Sequence, residues 1–238
     1  MTFILAKQGP VIPSFGKGSS CVTQNHAFCP GWVRDHWSDT LQPALLQHIK
    51  LAVIAVAIGF VLSFVAALVA YRYRRADQPI GLLSDFLYTI PSLALFQLLI
   101  PLTGINVTTV EIALTSYTLL ILYRNTLEGL RGVPAEVKEA ARGMGLSGVQ
   151  RLVRVELPLA TPSIMAGVRI ATVSTISIAT VAALIIPKGL GYPLYIGIGQ
   201  DVFKTEIIAA GGLAILLALG ADALLVLLGR ALTPWRKA

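Results

Sequence analysis

From Leu51 to Tyr71 the chain carries no charged side chain. A run of that length is close to the ~20 residues a helix needs to cross a hydrocarbon core of about 30 Å, so it predicts a transmembrane helix. Four more long apolar runs follow, at Ile80 to Thr103, Val107 to Tyr123, Pro162 to Pro187 and Ile207 to Gly229. Glu111, near the start of the third, makes that one the least convincing. Charged residues are 13% of the chain, about half the share usual in a soluble domain, which argues against a soluble fold. The expected class is all-α: a polytopic membrane protein with about five transmembrane helices.

The net charge of +7 matters less than where it sits, because Lys and Arg are retained on the cytoplasmic side of a membrane. The segments after the first, third and fifth spans hold Arg72, Arg74, Arg75, Arg124, Arg131, Lys138, Arg142, Arg151, Arg154, Arg230, Arg236 and Lys237. The opposite side holds half as many: Lys7, Lys17, Arg34, Lys50, Lys188 and Lys204. This bias predicts a multi-pass protein of the cell membrane with its N-terminus outside and its C-terminus in the cytoplasm. The expected organisation is an extracytoplasmic segment with an interfacial helix (1–49), a transmembrane unit (50–230) and a cytoplasmic tail (231–238). Bases that flank membrane spans, without forming one stripe, do not point to nucleic acid.

Met1 to Gln8 include a short apolar piece broken by Pro10 and Pro13, with no basic lead-in, so no ordinary signal peptide is expected. Residues 9–31 are rich in Gly, Pro, Ser and Asn and should be irregular. Within them, Cys21 and Cys29 fit either a disulfide closing a short external loop or two free thiols. His26 between them finds no clear fourth ligand nearby, so no metal site is expected. After Trp32, Ser38 and Asp39 suit a helix start, and Leu41, Leu45, Leu46 and Ile49 recur at helical spacing. That pattern predicts a helix along the outer membrane surface, with Trp32 and Trp37 either at the interface or packed on the protein itself.

Polar features inside the spans are few. Pro91 removes a backbone hydrogen bond and predicts a kink in the second span. Tyr88, Phe96 and Tyr117, with Thr175 and Thr180 of "ATVSTISIAT", either line a substrate path or pack between helices. Arg169 lies seven residues inside Pro162, and Asp222 seven residues before Gly229. At about 1.5 Å per residue both sit roughly 10 Å from the same side, so they are expected to pair. The glycine-rich stretch Pro187 to Glu206 can turn tightly and admit another backbone.

The segment from Arg124 to Thr161 is the one long polar connection on the cytoplasmic side. Pro134 suits a first helical turn, Glu136 its positive end, and Gly143 with Gly145 its stop. Val137, Ala140, Ala141 and Met144 follow helical spacing and predict a small apolar face. Ser147 can cap a second short helix containing Val149, Leu152 and Val153, which Glu156 to Pro158 should terminate. A slim helix joined by a glycine turn to another is shaped to enter a groove, although it could equally lie on lipid.

"EAARGMGLSGVQRLVRVELP" resembles the EAA loop of the membrane subunits of ABC importers. That pattern reads Glu-Ala-Ala, three residues, Gly, nine residues, an aliphatic residue, any residue, then Leu-Pro. Glu139, Ala140, Ala141, Gly145, Val155, Leu157 and Pro158 fill its places within residues 132–158, with valine where isoleucine is commoner. The resemblance implies coupling helices that seat in clefts of cytoplasmic ATPase subunits. It implies polar contact by Glu139, close packing by Ala140 and Ala141, and a turn at Gly145. "FLYTIPSLALFQLLIPLTG", "EIALTSYTLLILYRNTLEGLRGVP" and "RIATVSTISIATVAALI" further resemble permeases of the osmoprotectant branch, over about residues 32–236. That likeness implies glycine betaine, choline, carnitine or proline as cargo, a solute-binding protein outside and a second permease subunit.

No phosphate loop of the form G-x-x-x-x-G-K-[ST] occurs, so the chain is expected to bind no ATP and to need no cofactor. All three histidines precede the first span, and no catalytic constellation is visible, so enzymatic activity is not expected. A channel or secondary transporter would use Arg169 and Asp222 as ion-path residues, but leaves the loop spacing unexplained. A permease for amino acids or another small solute shares the loop and differs in cargo.

Overall fold

The structure, a computed structural model, describes residues 19–199 and 202–237. The expectations for Met1 to Gln8 and for the polar stretch up to residue 18 lie outside the described residues. Among the described residues the chain forms helices and no strand. Two short helices, α1 (Ser20–Thr23) and α2 (Pro30–Asp35), precede the long α3 (Gln42–Arg72). Then come α4 (Asp77–Thr89), α5 (Ser92–Thr103), α6 (Val107–Arg131), α7 (Ala135–Gly143) and α8 (Gly148–Arg151). The chain closes with α9 (Leu157–Val181), α10 (Gly191–Gly199) and α11 (Lys204–Leu232).

The charge-free run forms the body of α3. Its first turns are Gln42 to Lys50, so the separate surface helix expected before the first span is absent: one helix runs from Trp37 to Arg72 through a wide turn at Trp37–Leu41. Pro43 sits in the first turn of α3, where it needs no hydrogen-bond donor, and no Gly or Pro interrupts residues 44–58. With α3, the segment Gly148–Leu184 and α11 are each long and apolar enough to cross a membrane. Charges at Glu111, Arg124, Glu128 and Arg131 make α6 the most polar of the long helices, and it is not among those long and apolar enough to cross by that measure.

The second span is broken outright, beyond the kink the sequence predicts: α4 and α5 meet at 101°. The residue before a proline is pushed out of the helical region, and Ile90 is extended (φ −68°, ψ 126°). Pro91 then caps α5, its carbonyl accepting from Leu95 N–H at 2.9 Å. The Tyr117 hydroxyl donates to the Ile90 carbonyl at the break. That bond gives the interrupted ladder a partner from another helix.

At the centre α6 packs against α3, α9, α4 and α5. The α3–α6 contact is close because small residues recur along α3: Ala55, Gly59, Ser63, Ala67 and Ala70 are all buried. A Cβ on Gly59 would stand 1.8 Å from Thr118 Oγ1, and Ser63 Oγ donates to the Leu119 carbonyl (3.1 Å). The α6–α9 contact repeats the device, with a Cβ on Gly167 meeting Asn125 Cβ at 2.6 Å and Ser163 Oγ donating to Asn125 O at 2.8 Å. Gly59→Val should therefore overpack the α3–α6 seam and cost about 1–3 kcal/mol. A clear drop in the thermal unfolding midpoint of detergent-solubilised protein is the expected result, and an unchanged midpoint would remove this account of the seam.

The expected stop at Glu156 to Pro158 does not occur: α8 passes through a wide turn at Leu152–Glu156 directly into α9. There Leu157 N–H reaches back five residues to Leu152 O, and Pro158 falls in the first turn of α9. The extra residue in the turn accommodates a proline that would otherwise collide with a helical carbonyl.

At the opposite end of the bundle, residues 19–31 are more ordered than their composition suggests. Cys21 and Cys29 form a disulfide. The loop it closes grips the start of α11: Asn25 Nδ2 donates to Val202 O (3.1 Å), Lys204 N–H donates to Asn25 Oδ1 (3.0 Å), and Cys29 N–H donates to Thr205 Oγ1 (3.1 Å). Trp32 stacks on His36 and meets Phe203 edge-on, so it packs on the protein's own surface. Nearby, His48 Nδ1 accepts from Leu190 N–H (3.1 Å), which leaves Nε2 to donate to Ile176 O (3.0 Å). Gly191 follows, where a Cβ would lie 2.0 Å from the Thr180 carbonyl oxygen. This close approach is what the glycine-rich stretch permits, and it seats α10 beside α11.

Candidate coupling surface and intramembrane pair

Gly132 closes α6, its N–H bonding Glu128 O at 2.8 Å, and Pro134, with only Val133 between, opens α7. Lys138 ties α7 to the bundle: Nζ donates to Leu130 O at 3.2 Å and lies 5.4 Å from the Tyr71 ring centroid. The helix ends in a paired stop. Gly145 N–H bonds Arg142 O (2.9 Å), Leu146 N–H bonds Ala141 O (3.2 Å), and Gly145 takes φ +80°. This is the left-handed helix terminus that glycine accepts without strain. Ser147 then caps α8 reciprocally with Gln150.

The predicted apolar face divides in the structure. Ala141 is 1% exposed and packs within this chain. Ala140 is exposed, as are Glu139, Val137 (36%) and Met144 (73%). Helical spacing alone cannot tell which edge of an apolar stripe the parent bundle covers, and the connection through Gly132 turns Ala141 inward. Val149 (73%) and Val153 (55%) add exposed apolar area on the following segment. The sequence reading placed them inside a short helix without assigning them an outward role; their apolar character within a charged loop is the signal that could have done so. Val155, Leu157 and Pro158 are half-buried, and Leu157 packs toward Leu130, Ala160 and Ile164. Those three places of the motif therefore root α9, whereas Glu139 and Ala140 stand outside.

Arg169 on α9 and Asp222 on α11 meet in a two-pronged ion pair, Nε to Oδ1 at 2.8 Å and Nη2 to Oδ2 at 3.0 Å. Their side chains are 40% and 35% exposed on the isolated chain, so the pair joins two helices at the edge of the bundle and leaves part of each charged group open. Such forked geometry holds a carboxylate in a fixed orientation.

The proposed path residues separate into two groups. Tyr88, Pro91 and Tyr117 come together at the broken span, the two rings 6.0 Å apart and edge-on. Tyr88 is 43% exposed, while Tyr117 is spent on the Ile90 carbonyl. Phe96, 0% exposed, takes the packing alternative and belongs to the core with Leu95, Val110 and Ala113. Thr175 is likewise 1% exposed. Thr180 is half-buried and donates to its own helix at Ser177 O (2.7 Å). Burial of these groups follows from α5 packing on α6 and α9, and α9 on α6 and α3, a packing that helical periodicity does not determine.

The family pattern described as "Binding-protein-dependent transport system inner membrane component" matches residues 45–234. A choline transport system permease protein, OpuBB of Bacillus subtilis, is 36% identical over 79% of this chain and 86% of its own length. The osmoprotectant import permease protein OsmW of Salmonella typhimurium is 38% identical over 79% of this chain and 89% of its own. Among solved structures, an inward-facing MetNI methionine ABC transporter chain superimposes with a TM-score of 0.69 at 19% identity, covering 91% of this chain and 100% of that one.

Proposed function

The chain belongs to the family of binding-protein-dependent transport system inner membrane components and is a permease of an ABC importer; from that premise we propose that its cargo is a small trimethylammonium solute. The observation that carries the cargo reading is identity of 36% and 38%, over 79% of the chain, to permeases named for choline and for osmoprotectants. Choline, glycine betaine and carnitine share one cationic headgroup that offers no hydrogen to donate, so recognition must use aromatic faces and shape. Tyr88, exposed at the broken span and edge-on to Tyr117, is an aromatic that suits this use. The tight site belongs to a separate binding protein, and the permease offers a weak path.

The N-terminus lies outside and the C-terminus inside, a reading supported by the twofold Lys and Arg bias between the two sets of loops. On that orientation α7 projects into the cytoplasm. ATPase subunits hydrolyse ATP there and seat on the patch of Val137, Ala140 and Met144, with Glu139 at its edge for polar contact. A second permease subunit completes the pathway.

Uptake competition tests the cargo. With labelled choline as tracer and the intact transporter in proteoliposomes, glycine betaine or carnitine should compete and methionine should not. Competition by methionine or proline alone would replace the proposed cargo with an amino acid.

A further inference from the structure

The geometry points to a phosphate-diester site in the wall between α3 and the coupling segment, and its occupant is the headgroup of an anionic phospholipid. A cavity of about 720 Å³ opens where α3, α6, α7 and α8 converge. Its wall carries Arg72, Arg74, Arg131, Lys138 and Arg151 against a single carboxylate, Glu156. Glu156 Oε1 accepts from Arg151 Nε at 2.6 Å while its Oε2 is buried without a hydrogen-bond partner among the described residues, and Asp77 outside the wall takes Arg131 at 2.7 Å. Arg72 lies over the Tyr73 ring, and Arg74 has no ion-pair partner among the described residues. Two guanidinium groups thus face the cavity with no carboxylate to neutralise them, beside Lys138 and the ion-paired Arg131 and Arg151.

Like charges gathered this closely repel one another, and an anion relieves the repulsion. Guanidinium forks match phosphate oxygens in pairs, which favours a phosphate group over a smaller anion. The remainder of the wall selects the source of that phosphate. Leu68 and Leu152 line the same cavity, and Leu68 lies one helical turn inside Tyr71, at the end of the charge-free run. A ligand with one phosphate and an aliphatic tail fits a wall with cations at its rim and leucines toward the apolar zone. Basic pockets at the ends of membrane helices hold lipid headgroups for this reason. Because Lys138 belongs to α7, a bound headgroup bridges the first span to the coupling helix. The site itself needs no orientation; only its assignment to the inner leaflet rests on the topology proposed above.

The intact transporter, with its ATPase and binding-protein partners, is reconstituted in nanodiscs of dioleoylphosphatidylcholine with and without dioleoylphosphatidylglycerol. Native mass spectrometry should show phosphatidylglycerol retained after gentle delipidation, and hydrogen exchange over residues 135–143 should slow with that lipid. Arg72→Gln with Arg74→Gln should lose the retained lipid and the slowing. Arg72→Lys with Arg74→Lys, which keeps the charge but loses the paired guanidinium forks, should retain only part of both; an unchanged thermal unfolding midpoint of the glutamine variant excludes a folding defect. Equal retention by the glutamine variant overturns the site. Slowing by inorganic phosphate alone assigns a soluble anion and overturns the lipid. Retention by isolated permease but not by the intact transporter makes the cavity a seat for the ATPase and also overturns it. Reversed topology, read separately by labelling from one side of sealed vesicles, would leave the dependence on Arg72 and Arg74 in place.

Discussion

Gly145→Val should abolish most ATP-driven uptake while the protein still inserts and still carries its membrane helices. Gly145 holds φ +80° at the end of α7, and a β-branched side chain there is strained even though nothing crowds the position. A non-glycine residue in that region costs about 1–3 kcal/mol, enough to favour a different turn. Rotating the turn removes the bonds from Gly145 and Leu146 to Arg142 and Ala141, and α8 leaves its place behind α7. Ala141→Trp should have the same outcome by another route, since a 1% exposed alanine has no room for an indole. The patch around Val137, Ala140 and Met144 would then be presented at the wrong angle. Copurified ATPase and solute uptake should fall together in both variants, with membrane yield preserved. Wild-type values for association and uptake in both would sink the coupling role of α7.

Much of that argument was legible in the sequence. Gly145 announced a helix stop and Ser147 a cap, and both form. The inward turn of Ala141 was not legible, because periodicity defines a stripe and leaves open which of its edges the bundle covers. The extent of the break at Pro91 also exceeded what one missing donor implies. Its 101° depends on Ile90 becoming extended and on Tyr117, from another helix, accommodating the opened carbonyl. Continuity through Pro158 required a turn wide by one residue, which no local composition announces. Long-range polar fits were equally hidden: His48 serves Leu190 and Ile176, respectively 142 and 128 positions away.

Exchanging the charges of Arg169 and Asp222 is the second experiment with a large expected effect. Arg169→Asp should place two carboxylates opposite each other between α9 and α11, and Asp222→Arg two guanidinium groups. Either replaces an attraction between the two helices with a repulsion. Both single variants should lose most uptake and some protein yield. The double variant should regain a substantial part, because the pair spans two antiparallel helices and its sense is not fixed by the fork alone. Recovery short of wild type is expected, since the exchanged side chains differ in length and in the neighbours around each Cβ. If the double variant regains nothing and both singles are dead, the two residues act separately, each at its own position.

The disulfide-closed loop bears on where this protein can be cut. The family pattern begins at residue 45, yet Asn25 and Cys29 hydrogen-bond to Lys204 and Thr205, deep inside the matched region. A version trimmed to the matched residues would keep every predicted span and still lose the ties at the entrance of α11. Val202, which takes φ +60°, would lose the side chain that holds its carbonyl, and Phe203 would lose the tryptophan packed against it. A piece that keeps these contacts therefore begins at or before Cys21, ahead of the stretch that identifies the family.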